Sequence, residues 1–221
     1  AGIQDTGLLA VEPYVWQFRT AATGGTGTFI ETQALGTFQT AVSLGDLDGD
    51  GDLDAFFATS ANPVWINDGA GTFTDSGQSL GSSFGSGVSL GDLDGDGDLD
   101  AFVLNIGANL VLINDGTGTF TNSGQTLGSS FSQGVSLGDL DGDGDLDAFV
   151  ANDSQANRVW INQGGAQAGT AGTFTDSLQT LGSSGSRGVS LGDVDGDGDL
   201  DAFVANRFNQ ANRVWINQGC C

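Results

Sequence analysis

Gly45-Asp46-Leu47-Asp48-Gly49-Asp50-Gly51-Asp52-Leu53-Asp54-Ala55-Phe56 is the stretch on which the reading of this chain turns. The pattern returns at Gly91 to Phe102 and at Gly138 to Phe149, and again at Gly192 to Phe203 with Val194 in place of leucine. Each copy packs five aspartates into nine residues, and nothing within the loop neutralises them. The chain has no lysine, and all five arginines lie outside the loops. Two carboxylates about 5 Å apart repel by about 3 kcal/mol even at an effective dielectric of about 20. A hard divalent cation relieves that repulsion, and an all-oxygen donor set makes calcium the first candidate.

Working outward, the net charge of −23 over 221 residues first suggests an acidic, solvated chain. Its distribution argues otherwise. Of 28 acids, two are Glu12 and Glu31, which leaves 26 aspartates, and the four loops hold twenty of them (four times five). The remainder is nearly neutral and rich in Gly, Ser and Thr, so the acidity reads as local ligand charge. Four bound divalent ions would still leave about −15 (−23 + 8), which repels phosphates and excludes nucleic acid as a partner. The 38% hydrophobic content permits a core, and no apolar run approaches the ~18 residues of a membrane span, so no membrane insertion is expected.

The first aspartates of the four loops, Asp46, Asp92, Asp139 and Asp193, lie 46, 47 and 54 residues apart. An insertion at Gly164 to Ala171 accounts for the longest interval. A unit of this length with several short strands is what a β-propeller blade looks like. In the second unit, Val88-Ser89-Leu90 leads into the acidic loop and Ala101-Phe102-Val103-Leu104 leaves it. Asn109 to Asn114 reads as a third strand, Asp115-Gly116-Thr117-Gly118 as a hairpin turn, and Thr119-Phe120-Thr121 as a fourth strand. No segment keeps a helical period. The fold class is all-β, with repeat units 42–87, 88–134, 135–188 and 189–219 and a partial unit at 1–41, within a single propeller domain spanning 1–221. Tyr14 to Phe18 resembles a third strand and Gly27-Thr28-Phe29-Ile30 a fourth, so the first and last blades are incomplete. About five four-stranded blades are expected, with four the alternative.

The run Val135 to Asn152 resembles an FG-GAP/VCBS-type repeat, the kind that builds the calcium-binding propeller of integrin α chains and many bacterial surface proteins. The resemblance covers residues 42 to 219, and the first 41 more weakly. It departs from the family in one respect: Phe84-Gly85 is the one Phe-Gly pair in the chain. The resemblance implies about four calcium ions per chain. Asp46, Asp48, Asp50 and Asp54 would supply side-chain oxygens and Asp52 its carbonyl. The second loop would use Asp92, Asp94, Asp96 and Asp100 with the carbonyl of Asp98. The third would use Asp139, Asp141, Asp143 and Asp147 with Asp145, and the fourth Asp193, Asp195, Asp197 and Asp201 with Asp199. Gly51, Gly97, Gly144 and Gly198 allow the sharp turn. An EF-hand would need a glutamate at the twelfth position, where this chain has Phe57, Val103, Val150 or Val204 inside a strand. Each loop lies within one unit, so the sites should fill semi-independently.

Catalysis has little to stand on: there is no His or Lys, one Tyr, and the acids are committed to the loops, so no enzyme is expected. The tryptophans Trp16, Trp65, Trp160 and Trp215 recur at one place in the unit and read as inter-blade packing rather than a sugar platform. Asn109, Asn157 and Asn212 read as turn residues. Calcium-type loops, the missing lysine and the triplet Asn152-Asp153-Ser154 point to an extracellular or cell-surface setting. Cys220 and Cys221 are candidates for an intermolecular disulfide. In one closed ring, Val15-Trp16-Gln17 and Val214-Trp215-Ile216 would compete for one blade position, unless a fifth blade forms. Between molecules they would not. Two functions follow as expectations. One is a secreted, self-associating structural component of a fibre or surface layer, with head-to-tail contacts. The other is a monomeric adhesin or lectin-like module that recognises glycan or protein.

Overall fold

A computed structural model describes residues 28–36, 40–81, 83–165 and 169–219. The chain divides into two compact units, Ala1–Ala34 and Leu35–Cys221. In the first, Thr28, Phe29 and Ile30 lie outside any strand. The third-strand-like segment Tyr14 to Phe18 and the pair Cys220 and Cys221 lie outside the described residues.

The second unit is built from strands alone, and the described residues contain no α-helix. The first sheet orders β1 (Ala41–Gly45), β2 (Asp54–Ala58), β3 (Val64–Asn67) and β4 (Phe73–Asp75) side by side. The second repeats this with β5 (Gly85–Gly91), β6 (Asp100–Asn105), β7 (Leu110–Asn114) and β8 (Phe120–Asn122). The third has β9 (Ser132–Gly138), β10 (Asp147–Asn152), β11 (Arg158–Asn162) and β12 (Phe174–Asp176). The fourth stops at three, β13 (Ser186–Gly192), β14 (Asp201–Asn206) and β15 (Arg213–Trp215). All neighbours are antiparallel meander pairs, the architecture of propeller blades. The insertion at 164–171 falls between β11 and β12, in the hairpin tip where the sequence places it.

The second strand of each unit explains why its sequence is continuously apolar rather than alternating. In the second and third sheets both of its faces are buried, because the blade is packed between two others. Ala101 and Val103 face the first sheet, in a core with Phe56, Val64 and Leu47. Phe102 and Leu104, the alternate residues, face the third sheet, in a core with Ala148, Val150 and Trp160. Phe149 and Val159 then meet Ala202, Val204 and Trp215 of the fourth sheet. Trp160 and Trp215 are therefore inter-sheet packing residues, with Leu112 in their place in the second sheet.

Packing between blades is keyed by a leucine and a glycine. The loop leucine of one blade presses on the glycine that ends the first strand of the blade before it: Leu99 on Gly45, Leu146 on Gly91 and Leu200 on Gly138. A Cβ on those glycines would stand 2.6–2.7 Å from the leucine methyl, so any larger residue would force the leucine to move. At Gly192 a Cβ would meet nothing within 4 Å. Val42, Leu44 and Leu53 on the first sheet, and Phe203 and Val214 on the fourth, are exposed apolar residues.

Candidate metal centres

Each acidic loop joins the first strand of a sheet to the second. The first aspartate folds it: Asp46 accepts the N–H groups of Gly49 (2.9 Å) and Gly51 (3.0 Å), and Asp92, Asp139 and Asp193 do the same for their loops. Gly51, Gly97, Gly144 and Gly198 take φ of 94–100°, a backbone conformation that side chains disfavour. Asp50 Oδ1 in turn accepts the Asp52 N–H at 2.9 Å, and the loop closes on itself.

The folding brings carboxylates together. Oxygens of Asp46, Asp48 and Asp50 lie within 4.8 Å of one another, as do those of Asp92, Asp94 and Asp96, and of Asp193, Asp195 and Asp197. In the third loop the trio is Asp139, Asp141 and Asp147. Partial burial, then repulsion from neighbouring carboxylates, raises the Asp48, Asp94 and Asp195 carboxyls above the usual range.

The fifth aspartate does more than the spacing foretells. Asp54, Asp100, Asp147 and Asp201 are all fully or almost fully buried. One Asp100 oxygen accepts the Leu93 N–H at 2.9 Å and the other the Asn114 N–H at 2.8 Å, which ties the loop to the end of the third strand. Asp54, Asp147 and Asp201 make the same pair of bonds. Burial pushes the Asp100 carboxyl up to about 6 and that of Asp147 up to about 7. Asp100 Oδ2 also accepts the Asp94 N–H, at 3.3 Å.

The fourth aspartate is turned elsewhere. The carboxylates of Asp52, Asp98, Asp145 and Asp199 occupy the space a Cβ would need on Gly69, Gly116, Gly164 and Gly219. Their side chains lie against the turn after the third strand, which leaves the carbonyl as the group they could offer the loop.

These residues fit a calcium ion. Calcium–oxygen distances of about 2.3–2.6 Å allow oxygens up to about 5 Å apart to share one ion, and the trios meet that limit. Asp143 Oδ2 is buried with no hydrogen-bond partner among the described residues, a state that a charged oxygen tolerates only with a counter-charge.

Sequence reasoning missed the asparagine that ends each third strand. Asn114 Nδ2 donates to Leu47 O in the preceding loop at 2.8 Å and to Leu99 O in its own at 3.2 Å. Asn162 spans Leu93 O and Leu146 O, and Asn217 spans Leu140 O and Leu200 O, in the same way. Adjacent loops are thus joined by a side chain, although each loop lies within one unit. The signal was present as the recurring Asn-x-Gly at Asn67, Asn114, Asn162 and Asn217. Asn109, Asn157 and Asn212 are turn residues as read, each accepting a backbone N–H at the end of the second strand. The triplet at Asn152 is not a glycan acceptor in this fold: Asn152 is buried in β10 and its amide donates to Ala156 O at 2.7 Å.

The comparison with known families follows this geometry. Residues 46–103, 92–150 and 139–204 each match the FG-GAP-like repeat, together more than half of the chain. The chain belongs to the FG-GAP-like repeat family. Each FG-GAP-like match opens on the first aspartate of one loop and ends just past the next loop, within the second strand. No curated protein matches the sequence. FG-GAP-like repeats point to a β-propeller-type binding or adhesion module, are typical of extracellular or surface proteins, and are generally non-catalytic. Among the described residues no helix is long and apolar enough to cross a membrane.

Proposed function

We propose that this FG-GAP-like chain is a calcium-stabilised propeller module of an extracellular assembly, in which copies associate with one another. The observation that carries the calcium part is a carboxylate trio in each of the four loops, with a buried aspartate bonded to two backbone N–H groups beside it or, in the third loop, within it. Asp46, Asp48, Asp50 and Asp54, and their counterparts in the other loops, would hold the ions. A bound ion supplies positive charge there and nothing else is asked of it. The chain's own residues do the structural work: the fifth aspartate joins loop to third strand, and the asparagine joins loop to loop. If each site has a dissociation constant near ~0.1 mM in ~1 mM calcium, each contributes about 1.4 kcal/mol, about 6 kcal/mol together. That is comparable with the whole stability of a domain.

Self-association is supported by the two apolar faces described above. The first sheet presents Val42, Leu44 and Leu53, whose counterparts Val88, Leu90 and Leu99 pack against a neighbouring blade. On the fourth sheet Phe203 and Val214 are each 48% exposed, where the counterparts Phe102 and Val111 are fully buried. Such faces favour head-to-tail contact, which propagates when it does not close. Light scattering of the purified chain in calcium tests the reading. Mass above 22.4 kDa that rises with concentration is expected. A monodisperse monomer at every concentration contradicts it and favours an adhesin or lectin-like module.

A further inference from the structure

The fourth strand of a blade is held by the blade before it, in the same way twice. Phe120 of β8 stands edge-on to Phe56, with ring centroids 5.2 Å apart. Its N–H donates to Gln78 Oε1 at 2.8 Å, and Gln78 Nε2 donates to Gly118 O at 2.7 Å. Phe174 of β12 stands edge-on to Phe102 at 5.5 Å, its N–H donates to Gln125 Oε1 at 2.7 Å, and Gln125 Nε2 donates to Gly172 O at 2.7 Å. A phenylalanine and a glutamine of one blade therefore clamp a Gly-Thr-Phe-Thr strand of the next: Gly118 to Thr121, and Gly172 to Thr175.

The third blade carries the same clamp, Phe149 and Gln179. Gln179 follows β12 at the position Gln78 and Gln125 hold after β4 and β8. Here no described strand fills it, because the fourth sheet ends at β15. In its place lies a cavity of about 540 Å³ lined by Phe149, Gln179, Leu181, Ala202 and Trp215. That volume lies within the roughly 300–1,000 Å³ of ligand pockets. The edge beside it is β15. In the complete sheets the equivalent third-strand carbonyls, of Val64, Val111 and Val159, accept an N–H from Ser76, Ser123 and Ser177 at 2.9–3.0 Å. Val214 O is the fourth of that series.

The Gly-Thr-Phe sequence occurs five times in the chain. Three copies lie at β4, β8 and β12, and the other two are Gly27-Thr28-Phe29, followed by Ile30, and Gly36-Thr37-Phe38. Phe29 is 95% exposed, against 5% and 6% for Phe120 and Phe174. We infer that the cleft beside Phe149 and Gln179 is a strand-accepting site, and that it takes the Phe29 segment of a second copy of this chain. Phe29 enters the apolar cavity, the Gln179 carboxamide pairs with the backbone on either side of it, and the incoming strand extends the sheet at β15. This rests on the self-association proposed above and names the contact that makes it.

The probe is a labelled peptide, Gly-Thr-Phe-Thr-Asp-Ser, with the sequence of residues 172–177. Its anisotropy is followed against the intact chain in calcium, alongside light-scattering mass for the intact chain, Phe29→Ser and Gln179→Ala. Saturable binding is expected, with loss when the peptide phenylalanine becomes alanine. Gln179→Ala should weaken binding about tenfold, the worth of two exchanged neutral hydrogen bonds, without moving the melting temperature, because Gln179 is exposed. Both variants should lower the mass of the intact chain. Absence of peptide binding overturns the inference. So does association that survives both variants, although self-association itself would then stand. Peptide binding by a chain that stays monomeric overturns the second copy as occupant and the self-association reading together.

Discussion

The third and fourth sheets contain identical strands in different settings. Asp147 to Asn152 and Asp201 to Asn206 share the sequence Asp-Ala-Phe-Val-Ala-Asn, and Arg158 to Asn162 and Arg213 to Asn217 share Arg-Val-Trp-Ile-Asn. Phe149 is 3% exposed and Phe203 48%; Val159 is 6% exposed and Val214 48%. Burial here is a property of the next blade, not of the strand. A repeat of this kind cannot cover its own apolar face, so its stability is a sum over neighbours.

The sharpest way to break the comparison is to truncate the same phenylalanine in two blades. Phe102→Ala, between two blades, should lower unfolding free energy by about 3–5 kcal/mol, and Phe203→Ala by about 1 kcal/mol or less. Urea denaturation of both variants measures this, and equal losses would end the argument.

Next comes pH, because burial raises the Asp100 carboxyl to about 6 and that of Asp147 to about 7. Their unfolded values lie near 3.9, so between about pH 4 and 7 the native state binds more protons than the unfolded one. Stability in a chelator should therefore fall as pH rises through that window. In calcium the trend should reverse, since the ion favours the charged form. Thermal melts at pH 5 and pH 7.5 check both signs.

Gly91→Ala and Gly192→Ala sharpen the same contrast. A Cβ at Gly91 meets Leu146 and should destabilise by about 1–3 kcal/mol, whereas at Gly192 it meets nothing and should stay within about 0.5 kcal/mol. The smallest effect belongs to Asn114→Ala, worth about 1 kcal/mol. It should weaken calcium binding at the first and second loops together, because Asn114 bonds to both. Calorimetric titration that finds one site changed would support semi-independent filling instead.

How much of this was legible in the sequence follows from the same contrast. The loops announce themselves because aspartates at every second position have no neutral use, and the strand order follows from the four-part unit. The roles of Asp54 and its counterparts were half legible. Their carboxylates could be placed near the loop, but the N–H groups of Asn67, Asn114, Asn162 and Asn217 reach them only through the hairpin of the second and third strands. The difference between Phe149 and Phe203 could not be read at all, since their neighbours in sequence are identical. Gln78 and Gln125 carry no local signal, because their partners Phe120 and Phe174 lie more than forty residues away.

The central claim is that the four loops are calcium sites on which the fold depends. The direct measurement is the number of calcium ions bound by the intact chain at equilibrium, read by dialysis beside melts in calcium and in chelator. The account predicts about four ions per chain, as the four carboxylate trios imply, and a melting temperature many degrees lower once they are removed. No bound calcium, with equal melting temperatures in both buffers, would contradict it.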